Sequence, residues 1–144
     1  MINKFDGKYA FLSNFAESKI SFEGITYPTV EHAFQAAKTL DEEERLYISS
    51  LATPGAAKKA GRKVCLRPDW EQVKYSVMEE CVRKKFSIPE LRDKLIATGD
   101  EELVEGTYWH DNIWGNCYCP KCSAIEGQNN LGKILMKVRK EIQQ

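Results

Sequence analysis

No window of the sequence approaches the roughly eighteen consecutive apolar residues that a membrane helix needs, and the first letters, Met1-Ile2-Asn3-Lys4-Phe5-Asp6, lack the apolar core of a secretory leader. A soluble, cytoplasmic protein with no membrane partner is expected. Net charge is missing too, since 21 Lys+Arg offset 21 Asp+Glu. Proteins that coat nucleic acid by electrostatics alone carry a basic excess, so any nucleic-acid contact here must be local and site-like. Five cysteines is an odd number, and three of them, Cys117, Cys119 and Cys122, fall within six residues, which is no secreted disulfide framework. Cys65 and Cys81 stand among apolar letters and are expected to be buried thiols. Internal repeats, low-complexity tracts and Pro/Gly/Ser-rich linkers are absent, which favours a single domain over residues 1–144.

What is present is aromatic and mostly helical. Six Phe, six Tyr and three Trp rule out a disordered composition. Residues 19–22 and 25–27 alternate polar and apolar around Glu23-Gly24, a hairpin signal. After Pro28, Thr29 is an N-cap for a helix over 30–40, with His32 where a capping box takes Glu or Gln. Helices are also expected over 42–52, 54–61 (Thr53 cap, Pro54 first), 68–86, 89–98 and 130–142, with Gly99 closing the fifth by a left-handed cap. Residues 105–127 show no periodicity and read as a long ordered loop, a length that inside a compact domain usually signals function. The predicted fold class is α+β: mostly helical, with a small N-terminal β element.

Four groups of residues can carry chemistry. On a helix over 30–40, Glu31, Gln35 and Lys38 lie on one side. Glu31 and Lys38 would be about 10.5 Å apart along the axis, and Lys38 would lean back over Gln35 toward Glu31. Such a face either gathers a carboxylate, an amide and an amine around a sugar or is a solvated surface. The run Leu103 to Gly115 sets Glu105, His110 and Asp111 among Tyr108, Trp109 and Trp114, as needed to stack a base and hydrogen-bond a ribose; a loop pinned by its tryptophans is the other reading. Cys117, Cys119 and Cys122 with His110 can complete a tetrahedral structural zinc site, or be reduced thiols in a turn while His110 serves the active site. Finally, Gly127-Gln128-Asn129-Asn130-Leu131-Gly132-Lys133 opens a helix whose free N–H groups suit a phosphate, or else forms a closely packed cap. Lys58, Lys59, Arg62, Lys63 and Arg67 make the one concentrated basic stretch.

Taken in order, the segments FLSNF (11–15), YPTVEHAFQAAK (27–38), Gly61-Arg62, ATGDEELVEGT (97–107), DNIWG (111–115) and GQNNLGKILMKVR (127–139) resemble the YbiA-like NADAR (NAD and ADP-ribose) family over nearly the whole chain. The cysteines before Gly127 depart from its plainer members and mark a WHDNIWG branch. The resemblance implies an α+β fold with a pocket for ADP-ribose-like ligands and hydrolysis of N-glycosidic bonds at C1 of a ribose. The substrate it implies is ADP-ribosylated guanine in DNA or RNA, or alternatively a phosphoribosyl intermediate of the riboflavin pathway. A non-catalytic ADP-ribose or NAD reader is the third reading, although Glu31 and Lys38 are both retained. Lys38, Glu31, Glu105 and Asp111 are then the expected catalytic set, with Lys38 as the Schiff-base nucleophile or an electrostatic partner to a carboxylic acid. Ser13, Asn14, Phe15, Gln35, Gly61, Arg62, Trp70, Trp109, His110, Trp114 and Gly115 are the expected ligand-binding set, with Arg62 on phosphate. No cofactor is required by this chemistry, and a structural zinc is the one metal considered.

Overall fold

Glu23 and Gly24 both adopt positive φ, 47° and 87°, which matches the twist of a tight hairpin turn. They join β1 (Ile20–Phe22) to β2 (Ile25–Tyr27), antiparallel, with Ile20 opposite Tyr27 and Phe22 opposite Ile25. The computed structural model describes all 144 residues, and its contacts fall into two compact units, Asn14–Ser87 and Met1–Ser13 with Ile88–Gln144.

In the Asn14–Ser87 unit the hairpin leads into α1 (Val30–Ala36), followed by α2 (Glu42–Ser49), α3 (Pro54–Gly61) and α4 (Trp70–Lys85). α1 is buried along its whole length because α2, α3 and α4 all pack on it. Its cap forms as the letters suggest: the Thr29 hydroxyl accepts from the His32 N–H at 3.1 Å and bonds the His32 ring at 2.8 Å. The other ring nitrogen meets the Leu51 carbonyl at 3.0 Å, and burial lowers the imidazole pKa, which favours its neutral form, against the Leu51 hydrogen bond. The histidine at the capping-box position thus bonds the Thr29 hydroxyl rather than its backbone N–H, while tying α1 to the chain before α3.

The expected helix over 30–40 is shorter. After Ala36 the hydrogen bonds tighten, Lys38 to Gln35 and Thr39 to Ala36, because Thr39 and Asp41 are needed outside the helix. Asp41 caps α2 through the Glu43 and Glu44 amides, and the Thr39 hydroxyl bonds Glu44 at 2.6 Å. α4 likewise starts at Trp70 rather than Pro68, with Asp69 at the cap position but its carboxylate held by Arg67 instead of the helix amides. Cys81 is buried as expected, its thiol pushed up to about 12 by burial, but Cys65 is exposed. Its amide is fixed to Glu44 on the surface segment between α3 and α4, where flanking apolar letters do not guarantee cover.

The other unit holds a 3-10 helix at Gly7–Leu12, which the letters did not announce, then α5 (Pro89–Ala97), β3 (Gly106–Thr107), β4 (Asn116–Cys117), a 3-10 turn at Pro120–Cys122 and α6 (Asn130–Ile142). Gly99 takes φ 63° after α5, as expected. Ile2 bridges Leu103, and Leu12, Leu95, Leu103, Leu131, Leu135 and Val138 form the core here. Residues 105–127 are largely irregular, as expected, except for the parallel β3–β4 ladder and the short 3-10 turn. No helix is long and apolar enough to cross a membrane.

Candidate functional site

α1 carries a buried carboxylate. Glu31 is 8% exposed and Gln35 4%, so this is no solvated helix face. The Gln35 amide donates to the Glu31 carboxylate at 2.7 Å, one helical turn away. Its oxygen, Oε1, is buried with no hydrogen-bond partner and lies against the backbone of Gly61 on α3. A Cβ at Gly61 would collide with that oxygen, and Gln35 Cδ would lie only 2.9 Å from it. Gly61 therefore lets α3 close on Gln35.

Lys38 follows in the turn that ends α1. Although the helix has already stopped, the tight turn keeps the side chain over the same face: its Nζ lies 5.9 Å from the centre of the Phe34 ring. Phe34 is itself packed on Trp70 from α4, with ring centres 5.0 Å apart and planes tilted by 58°. Burial lowers the Lys38 pKa from the usual lysine range; Glu31 opposes that shift, whereas Arg62, Lys58 and Lys74 add to it. The turn is braced from outside, because the Arg67 N–H donates to the Lys38 carbonyl at 2.7 Å. Lys74 was not singled out among the letters. Its position one turn beyond Trp70 on α4 is the signal that could have found it.

The basic stretch divides by side. Lys58 and Arg62, four residues apart, act on Lys38. Lys59 and Lys63 instead line a groove of about 530 Å³ with Glu43, Glu44 and Tyr47, sharing no residue with the Lys38 cluster. Arg67 leaves the patch altogether, its guanidinium bonded to Asp69 at 2.7 and 3.1 Å. At the start of this unit the Asn14 carbonyl accepts from the Glu31 N–H at 3.1 Å and its amide approaches the Met78 sulfur, while Phe15 is exposed. The structure thus brings together Asn14, Glu31, Gln35, Lys38, Gly61, Arg62 and Trp70 within one unit.

Ser13, Glu105, Trp109, His110, Asp111, Trp114 and Gly115 belong to the other unit. There Ser13 closes the 3-10 helix by its N–H on Ala10. Asp111 Oδ1 accepts from the Ile113 and Trp114 amides at 3.1 and 2.9 Å, which makes it a turn-forming acid. Glu105 is half-buried, and its N–H is held by the Asn129 side chain at 3.0 Å. Gly115 lies against the Glu105 backbone, where a Cβ would collide. Trp109 is exposed and Trp114 half-buried, so neither is a deep anchor of the loop.

His110 is drawn to the cysteines. It takes φ 67°, its N–H donates to Cys117 Sγ at 3.3 Å, and its Nδ1 lies 3.3 Å from Cys122 Sγ and 3.4 Å from Cys119 Sγ. The four donor atoms are all within 4.8 Å of one another, a grouping compatible with a metal ion. The start of α6, by contrast, is no phosphate site. The amides of Gln128, Asn129, Asn130 and Leu131 donate to the carbonyls of Asn112, Gly115, Ile113 and Trp114 at 2.7 to 3.2 Å, so the loop itself fills the helix terminus. Gly132 lies against the Leu103 carbonyl and the Asn129 side chain, which gives the close-packed cap that was the other reading.

The NADAR domain model matches residues 2–143. N-glycosidase YbiA of Escherichia coli (strain K12) is 40% identical over 141 residues, covering 93% of this chain and 82% of that protein. N-glycosidase Npun_R5314 of Nostoc punctiforme is also 40% identical over 141 residues, covering 93% and 86%. The riboflavin biosynthesis protein VVA0006 of Vibrio vulnificus is 36% identical over 96% of this chain, which spans 37% of that longer protein. The NMR structure of E. coli YbiA superposes with a TM-score of 0.82 at 39% identity, covering 99% of this chain and 85% of that one. With a family model that runs almost from end to end and a solved relative of the same fold, the chain belongs to the NADAR domain family.

Proposed function

We propose that this chain is an N-glycosidase that removes ADP-ribose from modified guanine in nucleic acid, with Lys38 as its nucleophile. The observation that carries the reading is the state of Lys38: an amine set over an aromatic ring, with its pKa lowered by burial and by three neighbouring cations. A lysine attacks only when neutral, and this environment raises the neutral fraction at a given pH. The relatives' names support hydrolysis of an N-glycosyl bond.

The reaction follows from the residues in place. The ribose ring oxygen leaves C1 as the glycosidic nitrogen's lone pair forms an imine with it. Neutral Lys38 Nζ adds to C1, a proton passes from the new ammonium to the leaving nitrogen, and that C–N bond breaks to free the guanine amine. Water then hydrolyses the lysine imine, returning the amine and releasing the sugar aldehyde, which recloses; the net reaction consumes one water. Glu31, kept in place by Gln35, is the group beside Lys38 suited to carry the proton between these steps. Arg62 and Lys58 supply positive charge for the phosphates. No cofactor enters any step.

The test is borohydride reduction during turnover of an oligonucleotide carrying ADP-ribosylated guanine. The expected result is a stable sugar adduct on Lys38 found by peptide mass, with Lys38→Arg forming none and losing at least about a hundredfold in kcat, the scale of a lost covalent group. Full activity in Lys38→Arg overturns the mechanism. A second reading, hydrolysis of a riboflavin-pathway phosphoribosyl compound, is favoured by the relative named for riboflavin biosynthesis. The same assay with that substrate decides between them by which glycosyl bond is cleaved.

A further inference from the structure

The cysteine cluster has no part in the chemistry above, yet it gathers three thiols and an imidazole within 4.8 Å of one another. Cys117, Cys119 and Cys122 are 1%, 9% and 5% exposed and form a buried cluster of their own. All three are free thiols, not a disulfide and a remainder. Around them the chain exposes Tyr108, Trp109, Ile113, Tyr118 and Ile125, so little apolar burial holds this loop together. Regular structure contributes only the two-residue β3–β4 ladder and one 3-10 turn.

We propose that His110 Nδ1 and the Cys117, Cys119 and Cys122 sulfurs bind one zinc ion as a closed structural site that clamps residues 110–122. Metal–sulfur bonds of about 2.3 Å and metal–nitrogen bonds of about 2.0 Å in a tetrahedron put sulfur and nitrogen about 3.5 Å apart along an edge. The His110 Nδ1 distances to two sulfurs, 3.3 and 3.4 Å, already match those edges closely. Three thiolates with one imidazole select zinc over magnesium or calcium, which take oxygen ligands. The set already numbers four, with no place left for a reacting water, so the site is structural. The left-handed backbone at His110 turns its ring onto the sulfurs and lets its N–H donate to Cys117, an outer hydrogen bond of the kind that orients thiolate ligands. On binding, each sulfur still protonated releases its proton and nothing is oxidised or reduced.

The clamp has a consequence further along the unit. The carbonyls of Asn112, Ile113, Trp114 and Gly115, inside the clamped segment, accept the amides that begin α6. Zinc therefore stabilises the start of that helix through the loop, without touching it.

The test uses the full chain made in zinc-supplemented medium and purified under reductant without chelator. Expected are one zinc per chain by elemental analysis and, after chelation and cobalt(II) addition, the strong visible bands of a tetrahedral thiolate site. Chelation should also cost the Asn129, Asn130 and Leu131 amides at least about tenfold in hydrogen-exchange protection, with recovery when zinc is returned. Cys122→Ser should lose at least half of the bound zinc, while Cys65→Ser, altered at an exposed position outside the cluster, should keep all of it. Because a cluster variant can fail to fold, the cobalt spectrum and the exchange experiment on the unaltered chain stand by themselves. Absence of metal with all three cluster thiols freely reactive, or a disulfide among them under reductant, overturns the proposal.

Discussion

Lys38 has neighbours of both signs, and they act on it in opposite directions. Arg62, Lys58 and Lys74 hold its pKa down and Glu31 holds it up, while burial gives the largest push, downward. If neutral Lys38 is the attacking group, the rate on the acid side must rise with pH through this lowered value and level off above it. Removing a neighbour should move that rise in a direction fixed by the neighbour's charge. Arg62→Ala takes away a cation and should shift it to higher pH. Glu31→Gln takes away an anion and should shift it to lower pH, even as proton transfer itself slows. The measurement is the pH dependence of single-turnover cleavage in the three proteins, reading the position of the limb and not its height. Shifts in the same direction, or none, would show that Lys38 is not the titrating nucleophile. Spacing alone suggested this group, because Glu31, Gln35 and Lys38 recur at four and three. What spacing could not convey is that α1 is buried on all sides, or that Gly61 is what lets Gln35 pack there.

At the scale of elements, α6 shows how much rests on one side chain. Asn129 takes φ 51° before the helix, and its amide bridges the Leu103 carbonyl at 2.9 Å and the Glu105 N–H at 3.0 Å. Asn129→Ala loses two half-buried hydrogen bonds, each worth about 1 kcal/mol, and puts a β-carbon without local hydrogen bonding into the left-handed region, at about 1 kcal/mol more. Asn129→Gly loses the bonds but not the backbone ease. Urea unfolding should therefore place Ala about 2–3 kcal/mol below the natural chain, and Gly between them; equal losses would mean the φ angle carries no cost. The helices were readable wherever an apolar stripe met a capping letter, as at Thr29, Thr53 and Gly99, and α6 itself was bounded correctly. Residues 105–127 carry no such signal, because their polar letters serve turns as well as chemistry. Asp111, Asn112 and Asn116 spend oxygens on the amides of Ile113 and Trp114, of Cys117 and of Gly127, a use of side chains that has no period in sequence. Cys65 misled for the converse reason, since apolar neighbours in sequence are not neighbours in space.

For the molecule as a whole, the balance of 21 positive and 21 negative charges sets how it can meet a polyanion. The basic stretch narrows this further, since Arg67 is bonded to Asp69, and Lys59 and Lys63 share their groove with Glu43 and Glu44. Only Arg62, Lys58 and Lys74 gather with Lys38, and Lys74 is hydrogen-bonded to Glu71 at 2.8 Å. Two or three phosphates are then the most that this cluster can engage. Counterion release ties salt dependence to that number, at about −0.9 in log K against log salt per phosphate on duplex DNA. Under the proposed function, binding of an ADP-ribosylated duplex to a cleavage-defective Lys38→Met chain should show a slope of about −2 to −3. Free ADP-ribose should displace it, and the unmodified duplex should bind weakly and be lost as salt rises. Arg62→Ala should make the slope shallower by about one unit. A slope near −6, or equal affinity for modified and unmodified duplex, would mean that the chain reads the polymer backbone rather than one nucleotide, and would overturn the pocket-centred account of recognition while leaving the Lys38 chemistry to be judged by its own trap.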